Sequence, residues 1–283
     1  MDEFEQYRPL LFSIAYQMLG SAMEAEDMVQ EAYLRYQSAV DVRSPKAFLT
    51  TVITRLCLNQ LQSARAKREQ YVGTWLPEPV RTGDSASPLT PSAHLDHQEA
   101  ISMAFLVLLE QLTAPERAVF LLREVFDYGY PEIALILDKA EPACRQLHSR
   151  AKKRIAEHRP RFPLSPEHHR RMLERFVQAV EGGQLDSLTA MLAQDAVLWA
   201  DGAGRPGAVT RPIHGQDSVA RFILGTLRFL PDESTSAVEE VNTEPALVIR
   251  VSGQPFLVMW IEPEGERVQT IRVIANPDKL RRL

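Results

Sequence analysis

Between residues 69 and 95 the chain carries Pro77, Pro79, Pro88 and Pro91, with glycine, serine, threonine and aspartate between them. Proline has no amide hydrogen and its ring clashes with the preceding turn, so no long helix or central strand can cross this stretch. What lies on either side folds separately, joined by a connector. The connector nevertheless contains GTWLPEP at 73–79, and an unstructured segment has no use for Trp75 and Leu76. Large apolar groups flanked by stiffening prolines make an anchor that loses little entropy on docking.

Before the connector the apolar residues recur at three and four. Phe4, Tyr7, Leu10, Leu11, Ile14, Met18 and Leu19 predict one helix, and Ala25, Met28, Val29, Ala32, Tyr33 and Tyr36 a second. Glu24, Asp27 and Glu31 line another face of that second helix. A third starts at Ser44-Pro45, a capping side chain followed by the position where proline costs nothing. Phe48, Leu49, Val52, Ile53, Leu56 and Leu61 form its buried side, Arg55, Asn59 and Gln62 share an exposed face, and Arg65, Lys67 and Arg68 crowd its end.

After the connector, helical spacing resumes at Ile101. Thr113 with Glu116 three residues on predicts a capping box, Tyr130-Pro131-Glu132 starts a short helix, and Pro142 opens another with an inward stripe of Cys144, Leu147, Ala151 and Ile155. Two short helices joined by a tight turn, the second basic, are a helix-turn-helix. Beyond Arg161 the texture changes. FPLSPEHHRR is a second connector, helices are predicted over Met172–Val180 and Leu185–Ala193, and AVLWA, SAVEEV, ALVIRV, PFLVMWIE and RVQTIRVIA read as strands. Helices followed by a run of strands predict an α+β domain whose strands curl around them.

Length allows two or three domains in 283 residues, and a net charge of −5 argues against a protein that coats nucleic acid along its whole surface. The charge is unevenly placed. Arg145, Arg150, Lys152, Lys153 and Arg154 cluster on the last helix of the helix-turn-helix, the electrostatic footprint of a DNA reader. Near its N-terminus, away from Cys144 and Leu147, Arg145, Gln146 and Ser149 are placed to reach base edges, with Arg150 and Lys153 on phosphates. Cys57 and Cys144 fall on apolar stripes and are expected to be buried thiols. The histidines lack the spacing of a zinc site, and no glycine-rich phosphate loop is present, so no metal or cofactor is expected. No apolar run reaches bilayer length and the N-terminus is acidic, so a cytoplasmic protein with no membrane partner is expected. Asp201 follows Trp199 in WADGAGRPG, where a carboxylate beside an apolar wall suits acid or base work; a turn aspartate before glycine is the blander reading.

AEDMVQEAYLRY, SPKAFLTTVITRLCLNQL, LTAPERAVFLLREVFDYGYPEIALIL and RQLHSRAKKRI resemble the second and fourth domains of a sigma-70 type factor of the extracytoplasmic-function (ECF) class. WLPEP, the DGAGR turn at 201–205 and NPDKL at 276–280 resemble the subgroup fused to a SnoaL-like domain, so the resemblance spans essentially the whole chain. It implies a multidomain chain: sigma domain 2 over 1–68, a linker over 69–95, sigma domain 4 over 96–161, and over 162–283 an α+β cone-shaped barrel of SnoaL/NTF2-like type with a pocket that could bind a small-molecule ligand.

The resemblance further implies that Asp27, Gln30 and Glu31 dock on the β′ clamp of RNA polymerase core, with the β flap as a second contact. The segment from Gln37 through Gln62 would recognise and open the −10 element of promoter DNA, with Arg55, Asn59, Gln62 and Arg65 as its contacts, and the helix from Pro142 to Arg154 would read the −35 element. Asn59 and Gln62 depart from the carboxylate and basic residue common in the subgroup. Trp75, Leu76, Pro77, Glu78 and Pro79 are expected to pack on the C-terminal domain near Asp201 and the loop of Asn276, Pro277, Asp278, Lys279 and Leu280. The implied function is a non-enzymatic transcription initiation factor, monomeric when acting and regulated in cis. Two competitors are a DNA-binding protein whose barrel senses a small molecule, and one whose barrel is a cyclase or hydrolase using Asp201.

Overall fold

The computed structural model describes residues 3–69, 71–82, 101–158, 165–205 and 208–283, with the side chains of 64–69 and 158 outside that description. The chain splits into two compact units, Met1–Gln70 with Asp84–Arg159, and Tyr71–Gly83 with Pro160–Leu283. The stretch of the connector from Tyr71 onward to residue 83 thus belongs with the C-terminal unit.

The first unit opens with α1 (Arg8–Leu19), shorter than the periodicity predicts. Pro9 has no amide hydrogen to donate back toward residue 5, so the helix starts beside it. Gly20 at φ 66° ends it. Ser21 caps α2 (Ala22–Ser38) by accepting from the Glu24 N–H at 3.3 Å. The long α3 (Pro45–Glu69) packs on both, and Leu11, Ile14, Met18, Ala25, Val29, Ala32, Leu49 and Ile53 are all sealed from solvent.

The second group comprises α4 (Met103–Leu109), α5 (Ala114–Phe120) with a π-helical turn over Leu121–Val125, α6 (Tyr130–Leu137) and α7 (Glu141–His158). Asp138 at φ 52° closes α6 and makes the turn of the helix-turn-helix. The buried stripe of α7 is Cys144, His148, Ala151 and Ile155; Leu147, expected in it, is only half-buried because His148 takes the inward place.

The two helical groups are knit together. The Thr50 hydroxyl and Tyr128 phenol share a buried hydrogen bond of 2.9 Å, and Arg117, only 3% exposed, donates to the Met18 carbonyl at 2.6 Å while pairing with Glu110 at 2.7 Å.

The second unit contains α8 (Pro166–Glu181), α9 (Leu185–Met191) and α10 (Gln216–Leu227) with one six-stranded sheet. Its strands are β1 (Leu192–Asp201), β2 (Ile213–His214), β3 (Ser234–Val241), β4 (Glu244–Val251), β5 (Gln254–Glu264) and β6 (Arg267–Ile274), in the order β2-β1-β6-β5-β4-β3. All neighbours are antiparallel except β1 and β6. Strands alternate their faces. Leu257, Met259 and Ile261 of β5 join Leu173, Phe176, Val219 and Ile223 in the core under the helices. Val258 and Trp260 face the other way and are buried too, so both sides of the sheet are covered. The α+β domain thus has its helices on one face of an open sheet. The helix α10 was not anticipated, because GQDSVARFILGTL lies between turn-like segments and contains Gly225. Among the described residues no helix is long and apolar enough to cross a membrane.

One buried carboxylate ties α5 to α7. Glu116, 2% exposed, accepts from the Thr113 N–H at 3.0 Å, the Thr113 hydroxyl at 2.8 Å and Arg154 at 2.9 Å. Burial alone raises such a group, but the Thr113 hydrogen bonds and the Arg154 charge outweigh it and hold Glu116 below its usual range. A carboxyl depressed in the folded state contributes stability above its unfolded pKa and loses it as pH falls through the folded one. Glu116→Gln is therefore expected to cost about 1–2 kcal/mol at neutral pH and progressively less on acidification, read as urea midpoints at pH 7 and pH 3. An equal loss at both would contradict this account.

Candidate functional site

A polar cluster of the C-terminal unit is built where the connector meets the strand ends. Asp201, the last residue of β1, is 1% exposed. One carboxylate oxygen accepts from the Leu76 N–H at 3.0 Å and from Lys279 at 2.6 Å; the other accepts from the Tyr71 phenol and, at 3.3 Å, from the Ala203 N–H. Lys279 also donates to the Leu76 carbonyl, and its ammonium stands 4.2 Å over the Trp75 ring. Asn276 donates to the Tyr71 oxygen at 3.0 Å. Burial and the neighbouring Asp201 carboxylate push the Tyr71 phenol well above its ordinary range, so it remains a donor.

Local sequence explains the placement. Gly204 adopts φ 65°, and a Cβ there would fall 2.7 Å from that of Val72, so glycine lets the connector pass close to the turn. Asn276 accepts from the Asp278 N–H at 3.1 Å, a side-chain turn that brings Lys279 round.

Beyond the tryptophan, Leu76, Pro77, Glu78, Pro79 and Val80 are buried. Val80 and Asn242 then exchange hydrogen bonds: the Val80 N–H donates to the Asn242 side chain at 3.1 Å, and the Asn242 N–H to the Val80 carbonyl at 2.9 Å. Arg81 bridges Val241 in antiparallel fashion, the Thr82 N–H donates to the Glu240 carbonyl at 3.3 Å, and Arg81 pairs with Glu239 at 3.2 Å. The segment is held at both ends, at Asp201 and at the tip of β3.

The expected set is therefore brought together at Trp75, Leu76, Asp201, Asn276 and Lys279. Leu280 is buried and Pro277 half-buried behind them. Asp278 is exposed and pairs with Arg281 at 2.6 Å, while its charge still bears on Tyr71 of the connector. Tyr71, Val80, Arg81 and Asn242 were not singled out in the sequence. Tyr71 was the readable one, an aromatic at the head of the same polar stretch.

On the helical unit, Asp27 and Gln30 are exposed on α2, and Glu31 is partly exposed and paired with Arg35 at 2.8 Å. Met23 and Leu34, 54% and 60% exposed, flank them as apolar ground. Arg55, Asn59 and Gln62 lie on one exposed face of α3, but Arg55 is engaged: it donates to the Ile136 and Leu135 carbonyls at 2.9 and 3.2 Å, at the C-terminal end of α6. The Arg65 side chain lies outside the described residues. On α7, Arg145, Gln146, Ser149, Arg150 and Lys153 are all exposed, whereas Arg154 is spent on Glu116.

Among the described residues no three His, Cys, Asp or Glu side chains converge as a metal would require. An open depression of about 540 Å³, lined by Arg175, Gln178, Gln184, Ser187, Met191 and Glu266, lies on α8 and α9 and does not include Asp201.

Family models agree with the helical layout. The model for Sigma-70 region 2 matches residues 4–67 and that for Sigma-70, region 4 matches 102–155. The chain is 39% identical to ECF RNA polymerase sigma factor SigJ of Mycobacterium tuberculosis (strain ATCC 25618 / H37Rv), over 99% of this chain and 92% of the relative. It is 32% identical to a probable ECF RNA polymerase sigma factor, SigI, of the same organism, over 97% and 92%. The crystal structure of the Mycobacterium tuberculosis SigJ factor superposes with a TM-score of 0.78 at 34% identity, covering 98% of this chain and 96% of that one.

Removing one partner of a buried ion pair leaves the other uncompensated. Asp201→Ala is therefore expected to destabilise the C-terminal unit by about 3 kcal/mol or more, seen as a lower urea midpoint in tryptophan fluorescence. An unchanged midpoint would remove Asp201 from the role of anchor.

Proposed function

Because the chain belongs to the ECF class of the sigma-70 family, and is thereby a transcription initiation factor that directs RNA polymerase to promoter DNA, we propose that its C-terminal domain regulates it in cis by holding the linker between its two sigma domains. One observation carries this reading: both carboxylate oxygens of Asp201 are committed to donors that include the Leu76 N–H and Tyr71 of the linker. A linker stored in this way has to be released before it can take up a path through the polymerase. The interactions holding it therefore act as a restraint on engagement.

The same proposal assigns the surfaces. Asp27, Gln30 and Glu31, with the apolar Met23 and Leu34 beside them, meet the β′ clamp, and sigma domain 4 meets the β flap. Arg55, Asn59, Gln62 and Arg65 act at the −10 element. Arg145, Gln146 and Ser149 read the −35 element while Arg150 and Lys153 hold phosphates. One factor acts per polymerase, in the cytoplasm. The basic face of α7 supports the −35 assignment, since its five candidate residues are exposed together.

An enzyme centred on Asp201 is the weaker reading. A general acid or base needs a lone pair or proton facing substrate, and this carboxylate is enclosed by donors of its own chain.

The test uses the full-length chain with polymerase core. Paired Trp75→Ala and Lys279→Ala substitutions, which weaken linker storage, are expected to raise promoter-specific transcription at limiting factor several-fold, while Asp27→Lys abolishes core binding. Unchanged or reduced transcription from the linker variant, at equal core affinity, would defeat regulation through storage. Core binding by Asp27→Lys equal to wild type would defeat the clamp assignment.

A further inference from the structure

Arg145 stands in the first turns of α7 with its side chain 58% exposed, yet it is not free to swing. Glu141, one turn earlier, accepts from its Nε at 3.1 Å and from one terminal nitrogen at 2.6 Å through a single oxygen. The Tyr130 ring lies 4.2 Å beneath the guanidinium carbon. Side and face are thus occupied, and the edge formed by the two terminal nitrogens points away from both.

Tyr130 is itself immobilised. Its phenol shares a 2.8 Å hydrogen bond with His148 Nδ1, and His148 Nε2 shares one of 2.9 Å with Glu124. Lys152 lies 3.5 Å from that carboxylate, and Arg123 approaches the same tyrosine ring at 5.3 Å while donating to the Tyr128 carbonyl at 3.0 Å. His148 is 8% exposed and occupies the buried stripe of α7, so the relay is rooted in the core rather than on the surface. A polar imidazole where an aliphatic residue would pack better needs a reason, and the orientation of Tyr130 supplies one.

We propose that Tyr130, with Glu141, is a positioning residue for base recognition: its ring holds the Arg145 guanidinium in the one plane from which two terminal nitrogens can meet a guanine edge in the major groove. An arginine free to rotate gives up much rotamer freedom when it pairs with a base, and a stacked, buttressed one has lost that freedom already. Discrimination at one base pair of the −35 element therefore depends on a residue that precedes the recognition helix and touches no DNA. This inference rests on the assignment of Arg145 to base reading made above.

The experiment measures binding of full-length factor with polymerase core to promoters in which each −35 base pair is varied in turn. Arg145→Ala identifies the position it reads by flattening preference there. At that position Tyr130→Leu is expected to reduce the preference for the best over the worst base by about fivefold or more, Tyr130→Phe, which keeps the ring but loses its hydrogen bond to His148, to reduce it by a smaller factor of about two, and affinity for core to stay unchanged. Glu141→Gln, at the helix surface and without consequence for the core, is expected to reduce preference at the same position, which keeps the proposal testable should Tyr130→Leu fold poorly. If Arg145→Ala leaves every preference intact, the base-reading assignment falls and this inference with it. If Arg145→Ala flattens one position while Tyr130→Leu and Glu141→Gln change nothing there, or weaken all positions equally, the positioning role alone is overturned.

Discussion

The C-terminal unit depends on a carboxylate that water does not reach. Asp201 is 1% exposed, and the donors around it come from segments remote in sequence: Tyr71 and Leu76 before the second sigma domain, Lys279 near the far end of the chain. Burying a charge is unfavourable unless paired and hydrogen-bonded. That penalty gives the contact its specificity, because only this arrangement of donors satisfies it. A greasy patch would have held Trp75 and Leu76 in many ways; a buried aspartate holds them in one.

The helical unit obeys a different logic. Its two groups of helices meet through Thr50 and Tyr128, through Arg117 and the Met18 carbonyl, and through Arg55 on the end carbonyls of α6. Polar groups at a seam are satisfied by partners when it is closed and by water when it is open, so such a seam opens at lower cost than an aliphatic one. Arg55 sits on the face of α3 assigned to promoter DNA. Its Nε and one terminal nitrogen are given to α6, which leaves the other terminal nitrogen as the donor available on that face.

Much of this was legible beforehand. Periodicity placed α2, α3, α5 and α6–α7 because their apolar stripes are regular and the starts of the last four carry Pro45, the Thr113–Glu116 pair, Pro131 and Pro142, local chemistry that needs no knowledge of the fold. The anchoring of WLPEP was readable from composition, since prolines and a tryptophan in a polar stretch have few other uses. What the residues alone could not give were the partners; Asp201, Asn276 and Lys279 came from the family resemblance, and the rest were hidden. Asn242 follows β3 and meets Val80 across 162 positions of sequence, and no periodicity encodes such a pairing. Asp278, expected at the linker, pairs its side chain with Arg281 and bears on Tyr71 by charge, while Asn276 accepts from its backbone N–H. His148 was hidden for a related reason: an inward-facing histidine looks like a surface one until Tyr130 and Glu124 are placed on either side.

Arg81 and Thr82 do more than end the linker. They lie along the outer edge of β3, where the open sheet would otherwise present unpaired backbone groups. An uncovered strand edge is a template on which another copy of the chain can pair. By covering the end of its own edge near Glu240 and Val241 with a segment borrowed from between its other domains, the protein leaves that much less of β3 open to such pairing. The position of the linker and the exposure of the sheet edge are therefore coupled through the same few hydrogen bonds.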